Sequence, residues 1–217
     1  MIHALTSAPP LTEFAPTWNK QLWIVQYDKF EEIDTMRNWI LDNEAFLIEK
    51  YAGVGFDHDG NTGLGKHSLT AQYSKMNLFT ETKDIPEFQN LFKFIRDEYS
   101  KFMNALAYPE RKCSMFAWAN AVNPGQHIKK HNHGGSHFSY LSGNMHFDDY
   151  ETATRYHNDY DSYSFEQRNV KGGLTFFPSY VYHDTTVYQG NTKRISIAFD
   201  LLDVDHLAPV DANRIDF

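Results

Sequence analysis

The spacing of apolar positions changes part-way along the chain. Residues 22–27 (Leu-Trp-Ile-Val-Gln-Tyr) form a short, dense run of strand formers. Over 30–51, Ile33, Trp39, Ile40, Phe46 and Leu47 make a one-sided helical stripe, and Gly53 and Gly55 break it. A second helix is plainer: Ile85, Phe88, Phe92, Ile95, Tyr99, Phe102 and Leu106 recur in steps of three and four. Asp84 with Glu87 has the spacing of a capping box, Pro86 suits a first turn, and Pro109 marks the end. From Cys113 onward the period becomes that of strands. The stretches 114–122, 127–133, 138–147, 174–177, 181–188 and 194–201 each fit one, and Gly, Pro and Asn punctuate most of the gaps. Residues 1–19 are Pro-containing and irregular, with a short edge strand expected around Phe14.

Short strands preceded by helices predict a mainly β sandwich or barrel with the helices packed outside. One domain over 1–217 is expected: an irregular arm at 1–19, mostly helical support at 29–108, and the β core at 113–202. The acidic, Tyr-rich stretch 148–168 reads as a solvated hairpin or surface loop. The alternative is a lid whose Tyr150, Tyr156, Tyr160 and Tyr163 help bind substrate. Residues 60–66 (Gly-Asn-Thr-Gly-Leu-Gly-Lys) lack phosphate-loop spacing and read as a loop near a pocket mouth.

Composition narrows the chemistry. Aromatics make up 16% of the residues, which suits strands and pocket walls. With 20 Lys+Arg against 28 Asp+Glu the net charge is −8, so no nucleic-acid or anionic-membrane partner is expected. Cys113 is the single cysteine, which rules out an intrachain disulfide and any multi-thiolate metal site. The first residues have no basic start and no long apolar run, so a cytoplasmic setting is expected.

There are 11 histidines, and they cluster. His131 and His133 stand two apart in 124–133; on a strand such residues share a face, so both imidazoles can reach one metal ion. A pair alone is more often structural. A later apolar segment, 172–183, ends in His183 and can deliver a third ligand across a sandwich. Eleven residues on, Arg194 and Ser196 again share a face. Arg194 offers a fork for a carboxylate and Ser196 a further donor, as a dicarboxylate such as 2-oxoglutarate requires. The blander reading of Arg194 is a surface ion pair at a strand start. His127 is expected on the face of His131, while His137, His146 and His157 have no defined role, and His3, His58, His67 and His206 read as surface.

This arrangement resembles the 2-oxoglutarate/Fe(II)-dependent oxygenase superfamily, whose pattern is His-x-Asp/Glu, a distal His, then Arg-x-Ser. The nearest likeness is to a bacterial and phage branch of these oxygenases. There a Trp-containing strand (here 116–120) precedes the His-x-His, and the segments matching 172–183 and 194–199 follow. The resemblance implies a double-stranded β-helix, the cupin-like jelly roll. It also implies Fe(II), 2-oxoglutarate and O2, with hydroxylation of a small-molecule or peptidyl substrate. His131 and His183 would be iron ligands, and Arg194 with Ser196 would hold the distal carboxylate of 2-oxoglutarate. Jelly rolls of this type often dimerise.

The chain departs from the pattern at His133, where the superfamily usually has a carboxylate. Either His133 is the third ligand, or a carboxylate such as Asp148 or Asp149 completes the set. The segments also resemble the two cupin motifs, but the glutamate expected after His-x-His is missing and Tyr180 replaces a glycine. A cupin-type three-His metalloprotein is therefore one alternative, and a non-catalytic jelly-roll binding protein is another.

Overall fold

The computed structural model describes residues 1–53, 59–134, 140–158, 164–204 and 214–217. In chain order the elements are β1 (Ile2–Thr6), β2 (Asn19–Gln26), α1 (Phe30–Lys50), α2 (Leu78–Glu81), α3 (Pro86–Ala105), β3 (Cys113–Val122) and β4 (Leu141–His146). They continue as β5 (Ala153–His157), β6 (Ser164–Arg168), β7 (Gly173–Pro178), β8 (His183–Thr185), β9 (Arg194–Asp203) and β10 (Ile215–Asp216). Seven strands form a major sheet in the order β1-β2-β7-β4-β9-β3-β10, and three form a minor sheet in the order β6-β5-β8. Two antiparallel sheets with helices outside are the expected jelly roll.

Alternation along the strands separates a helix-facing side from an inner side. On β9, Ile195, Ile197, Phe199 and Leu201 are buried in the core shared with the helices, whereas Arg194, Ser196 and Asp200 line an internal cavity. β3 divides likewise, with Met115, Ala117 and Ala119 toward the helices and Trp118 and Asn120 toward the cavity. β2 sends Trp23 against Phe102 of α3, with ring centroids 5.6 Å apart. Its neighbour Leu22 joins Leu5, Tyr156, Phe177 and Val181 in a smaller core. Each fully buried Phe or Leu contributes roughly 1.5–3 kcal/mol, so these two faces hold the sandwich shut.

Gly143 is required at the crossing of β4 and β9. A Cβ there would lie 2.2 Å from Phe199 Cζ, so the ring lies where any side chain would stand.

Several expectations need correction. The N-terminal arm is not wholly irregular: Ile2–Thr6 extends the major sheet against β2, while Phe14 is 89% exposed and forms no strand. The capping box is not formed. Pro86 pushes Ile85 into an extended conformation (φ −109°, ψ 109°), so the cap falls on Ile85, whose side chain makes no capping bond. Phe46 lies off the buried stripe of α1, which runs Ile33, Met36, Ile40 and Leu47. Residues 127–133 are not a regular strand; only His131 makes a β bridge, to His183, and Lys129 N–H turns aside to the Thr62 carbonyl. The strand expected at 181–188 shortens to His183–Thr185.

The stretch 148–168 contains the β5–β6 hairpin. Tyr150 and Tyr156 are core residues, not a lid: the Tyr150 hydroxyl accepts from Ile195 N–H, and the Tyr156 hydroxyl accepts from Asn144 Nδ2. Tyr160 and Tyr163, together with His58, His137, His206, Gly55 and Phe138, lie outside the described residues.

Candidate metal and carboxylate site

A cavity of about 330 Å³, open to solvent, lies between the two sheets. His131, His133 and His183 all line it, and one nitrogen of each lies within 4.8 Å of the others. Backbone pairing explains their convergence. His131 and His183 exchange N–H···O bonds of 3.0 and 2.8 Å, and His133 N–H donates to the Ser179 carbonyl at 2.9 Å. The 127–133 segment thus runs beside β8 and its approach, carrying both imidazoles to the third.

Each imidazole is held by an oxygen acceptor at Nδ1. His131 Nδ1 lies 2.8 Å from the Lys129 carbonyl, His183 Nδ1 lies 3.1 Å from the Val181 carbonyl, and His133 Nδ1 lies 2.5 Å from Asp200 Oδ1. A carbonyl or carboxylate only accepts, so the Nδ1 position carries the proton and Nε2 keeps its lone pair. Three such imidazoles are prepared ligands, and the donor set fits a divalent first-row metal. Burial, and then the neighbouring His133, push the His131 pKa down to about 4. Burial, and then His131 and His133, push His183 well below the ordinary histidine range. Both are therefore neutral at pH 7, as metal binding requires.

Asp200 was not singled out from the sequence. It lies six residues beyond Arg194 on the inner face of β9, and its Oδ1 also accepts from Ser142 Oγ at 2.6 Å. The available signal was parity: 194, 196, 198 and 200 share one face of the strand. Asp148 and Asp149 are engaged elsewhere. Asp148 is 3.9 Å from Arg37, and Asp149 accepts from Lys171 N–H.

The other predicted pair lies deeper along β9. Arg194 is 1% exposed, so the surface ion-pair reading fails. One terminal nitrogen approaches Thr152 Oγ1 at 3.4 Å, while Nε and the second terminal nitrogen have no hydrogen-bond partner. Burial lowers its pKa to about 10, which leaves it charged at pH 7. A buried, charged and half-unpaired guanidinium in a cavity wall has donors to spare for an anion, and the fork has the geometry that a carboxylate accepts. Ser196 lines the same cavity.

Of the remaining histidines, His127 is half-buried, His157 pairs with Asp184 at 3.1 Å and His3 stacks on Phe165. His146 lines the cavity. The cavity wall also includes Asp59 to Thr62, which agrees with the mouth-loop reading of 60–66. Asp59 accepts from the backbone N–H groups of Asn61 and Gly65.

Residues 116–200, from β3 into β9, match the family model described as "Putative 2OG-Fe(II) oxygenase". The fold is the jelly roll of the 2OG-Fe(II) oxygenases. The matched segment carries all three histidines, Arg194, Ser196 and Asp200, and the family implies Fe(II), 2-oxoglutarate and O2. Among solved structures, the oxygenase fold is similar to a prolyl hydroxylase from Trichoplax adhaerens, in complex with a hypoxia inducible factor peptide fragment. That likeness has a TM-score of 0.57 and 9% identity over 85% of this chain and 84% of that one. It is also similar to EvdO2 from Micromonospora carbonacea var. aurantiaca, with TM-score 0.54 and 13% identity over 87% and 90%. A likeness to a 2OG-Fe(II) oxygenase family oxidoreductase from Burkholderia pseudomallei spans 55% of this chain and 59% of that one. Its TM-score is 0.45 and the identity 10%. No curated protein matches the chain. Among the described residues, no helix is long and apolar enough to cross a membrane.

Proposed function

We propose that this chain is a non-haem Fe(II) hydroxylase that uses 2-oxoglutarate, with iron held by His131, His133 and His183. Arg194, assisted by Ser196, takes the distal carboxylate of the co-substrate. The observation that carries the reading is the pairing of three Nδ1-anchored imidazoles with a buried, half-unpaired guanidinium in one cavity.

Iron with bound 2-oxoglutarate and O2 supplies oxidative decarboxylation to succinate and carbon dioxide, coupled to insertion of one oxygen atom into a substrate C–H bond. The chain's residues orient and insulate. Lys129 and Val181 carbonyls hold the Nδ1 protons of His131 and His183, so both rings present Nε2. Asp200 does this for His133 with a full negative charge, which offsets the positive charge that a three-His set leaves uncompensated. Arg194 meets the co-substrate as a preformed fork and needs no rearrangement. Trp118 and Phe177 flank the imidazoles, at 5.4 Å from His133 and 4.7 Å from His183, and keep water from that side.

The cavity's opening to solvent suits a small molecule or a residue of a peptide, and a peptide is what the Trichoplax adhaerens structure has in complex. A three-His set without a carboxylate also supports a cupin-type reading, but that reading gives Arg194 nothing to bind. The test is metal binding and 2-oxoglutarate turnover in the wild type and in His131→Ala, His133→Ala and His183→Ala. Tight Fe(II) binding with oxygen-dependent release of succinate, both lost in the variants, supports the proposal. Wild-type metal affinity in any of the three variants refutes the ligand set.

A further inference from the structure

Strand register places three polar residues in a row across the cavity floor. Asn120 on β3 lies opposite Ser196 on β9, and Ser196 lies opposite His146 on β4. Cross-strand partners project from the same face, so all three stand in the wall that Arg194, two residues along β9, also lines. Asn120 is already committed: its Oδ1 accepts from Thr70 Oγ1 at 2.8 Å, and its Nδ2 approaches Ser196 Oγ at 3.5 Å. His146 is not. It is 6% exposed, and its Nδ1 is buried without a hydrogen-bond partner.

Two buried groups with unpaired nitrogens therefore line the same cavity, the guanidinium of Arg194 and the imidazole of His146. Leaving either unpaired carries its full desolvation cost. One ligand relieves both: an anion with two acceptor oxygens, one for each group. Burial, and then the charge of Arg194, push the His146 pKa down to about 3, so the ring is neutral at pH 7. A neutral imidazole with its proton on Nδ1 donates a hydrogen bond without adding charge.

We propose that His146 is a second binding residue for the distal carboxylate of the 2-oxo diacid held by Arg194, and that it selects the length of that diacid. This rests on the function proposed above. The three histidines fix one end of the ligand, while β4 and β9, paired over Leu141 to His146, fix the other. A diacid one carbon shorter does not span the two anchors, and one a carbon longer must buckle between them.

The test is anaerobic calorimetric titration of Fe(II)-loaded protein with oxaloacetate, 2-oxoglutarate and 2-oxoadipate. The wild type is compared with Arg194→Ala, His146→Phe, which keeps a ring without nitrogens, and His146→Gln, which restores a donor. His146→Phe is expected to weaken 2-oxoglutarate binding roughly tenfold to a hundredfold, as for loss of a hydrogen bond to a charged group. The preference over the longer diacid should shrink, metal affinity should not change, and His146→Gln should recover most of the loss. A measurement needing no variant follows the ¹⁵N signals of His146 in Zn(II)-loaded wild type, where Nδ1 should become a protonated donor on adding 2-oxoglutarate. Unchanged affinity in His146→Phe beside a large loss in Arg194→Ala, or an unmoved His146 signal at saturation, overturns this inference alone. A metal-loaded wild type that binds none of the three diacids overturns the functional reading beneath it.

Discussion

Asp200→Asn isolates a charge from a shape. In the wild type His133 Nδ1–H and Ser142 Oγ–H both point at Asp200 Oδ1, at 2.5 and 2.6 Å. Asparagine keeps an oxygen in that place, with two lone pairs for the same two donors, but removes the negative charge. Charge-assisted hydrogen bonds are roughly twice as strong as neutral ones, so the imidazole becomes a poorer electron donor while its orientation is kept. Loss of such an outer partner typically costs ten- to a hundredfold in metal affinity, or about 1.4 to 2.7 kcal/mol. The assay is Zn(II) and Co(II) titration in competition with a chelator, with thermal melting of the metal-free protein as control. Weakened metal binding with an unchanged melt is expected. Wild-type affinity in Asp200→Asn would refute the claim that Asp200 supplies charge to the site. A collapsed melt would show that it serves the fold instead.

Arg194→Met should raise the stability of the metal-free, co-substrate-free protein by about 1–4 kcal/mol in chemical denaturation, because a buried, half-unpaired charge is removed. The same change should abolish 2-oxoglutarate binding, and a lower midpoint would contradict the cost assigned to Arg194. Gly172→Ala should unfold or severely destabilise the protein, by more than about 2 kcal/mol. Its φ is +77°, and an added Cβ would stand 2.1 Å from the Tyr27 carbonyl oxygen, so soluble yield and melting temperature at wild-type levels would refute this. His146 gives the metal-free fold an acid limit. Burial, then Arg194, lower its pKa from 6.5 to about 3, so below pH 6.5 the unfolded chain takes up a proton that the folded chain refuses. Its contribution is complete above pH 6.5 and is lost as the pH falls toward 3. Urea midpoints at pH 7 and pH 5 should differ less in His146→Phe than in the wild type.

Long strands and helices were legible because period and burial agree in them. The apolar steps from Phe88 to Phe102 lie on the buried face of α3, and the alternation of β3 and β9 separates core from cavity. His131, His133 and His183 converge as spacing suggested, although 127–133 is an irregular edge; the register with β8, not local propensity, brings them together. The sequence could not show that Arg194 is buried, since Lys193 beside it looks like surface, nor that Asp200 and His146 reach the same cavity. Those facts depend on which strands pair, and β4 and β9 are separated by about fifty residues of chain. Tyr150 and Tyr156, two of the four tyrosines in the alternative lid reading, are core residues for a related reason: both find hydrogen-bond partners inside, so their rings stay in the core.

The most direct test of the account is an anaerobic titration of 2-oxoglutarate into the Fe(II)-loaded protein, followed in the visible spectrum. A saturable metal-to-ligand charge-transfer band is expected that requires both iron and 2-oxoglutarate, is absent in His183→Ala, and appears only at much higher co-substrate concentration in Arg194→Ala. Iron binding without such a band would contradict the co-substrate assignment, and failure to bind iron would contradict the site itself.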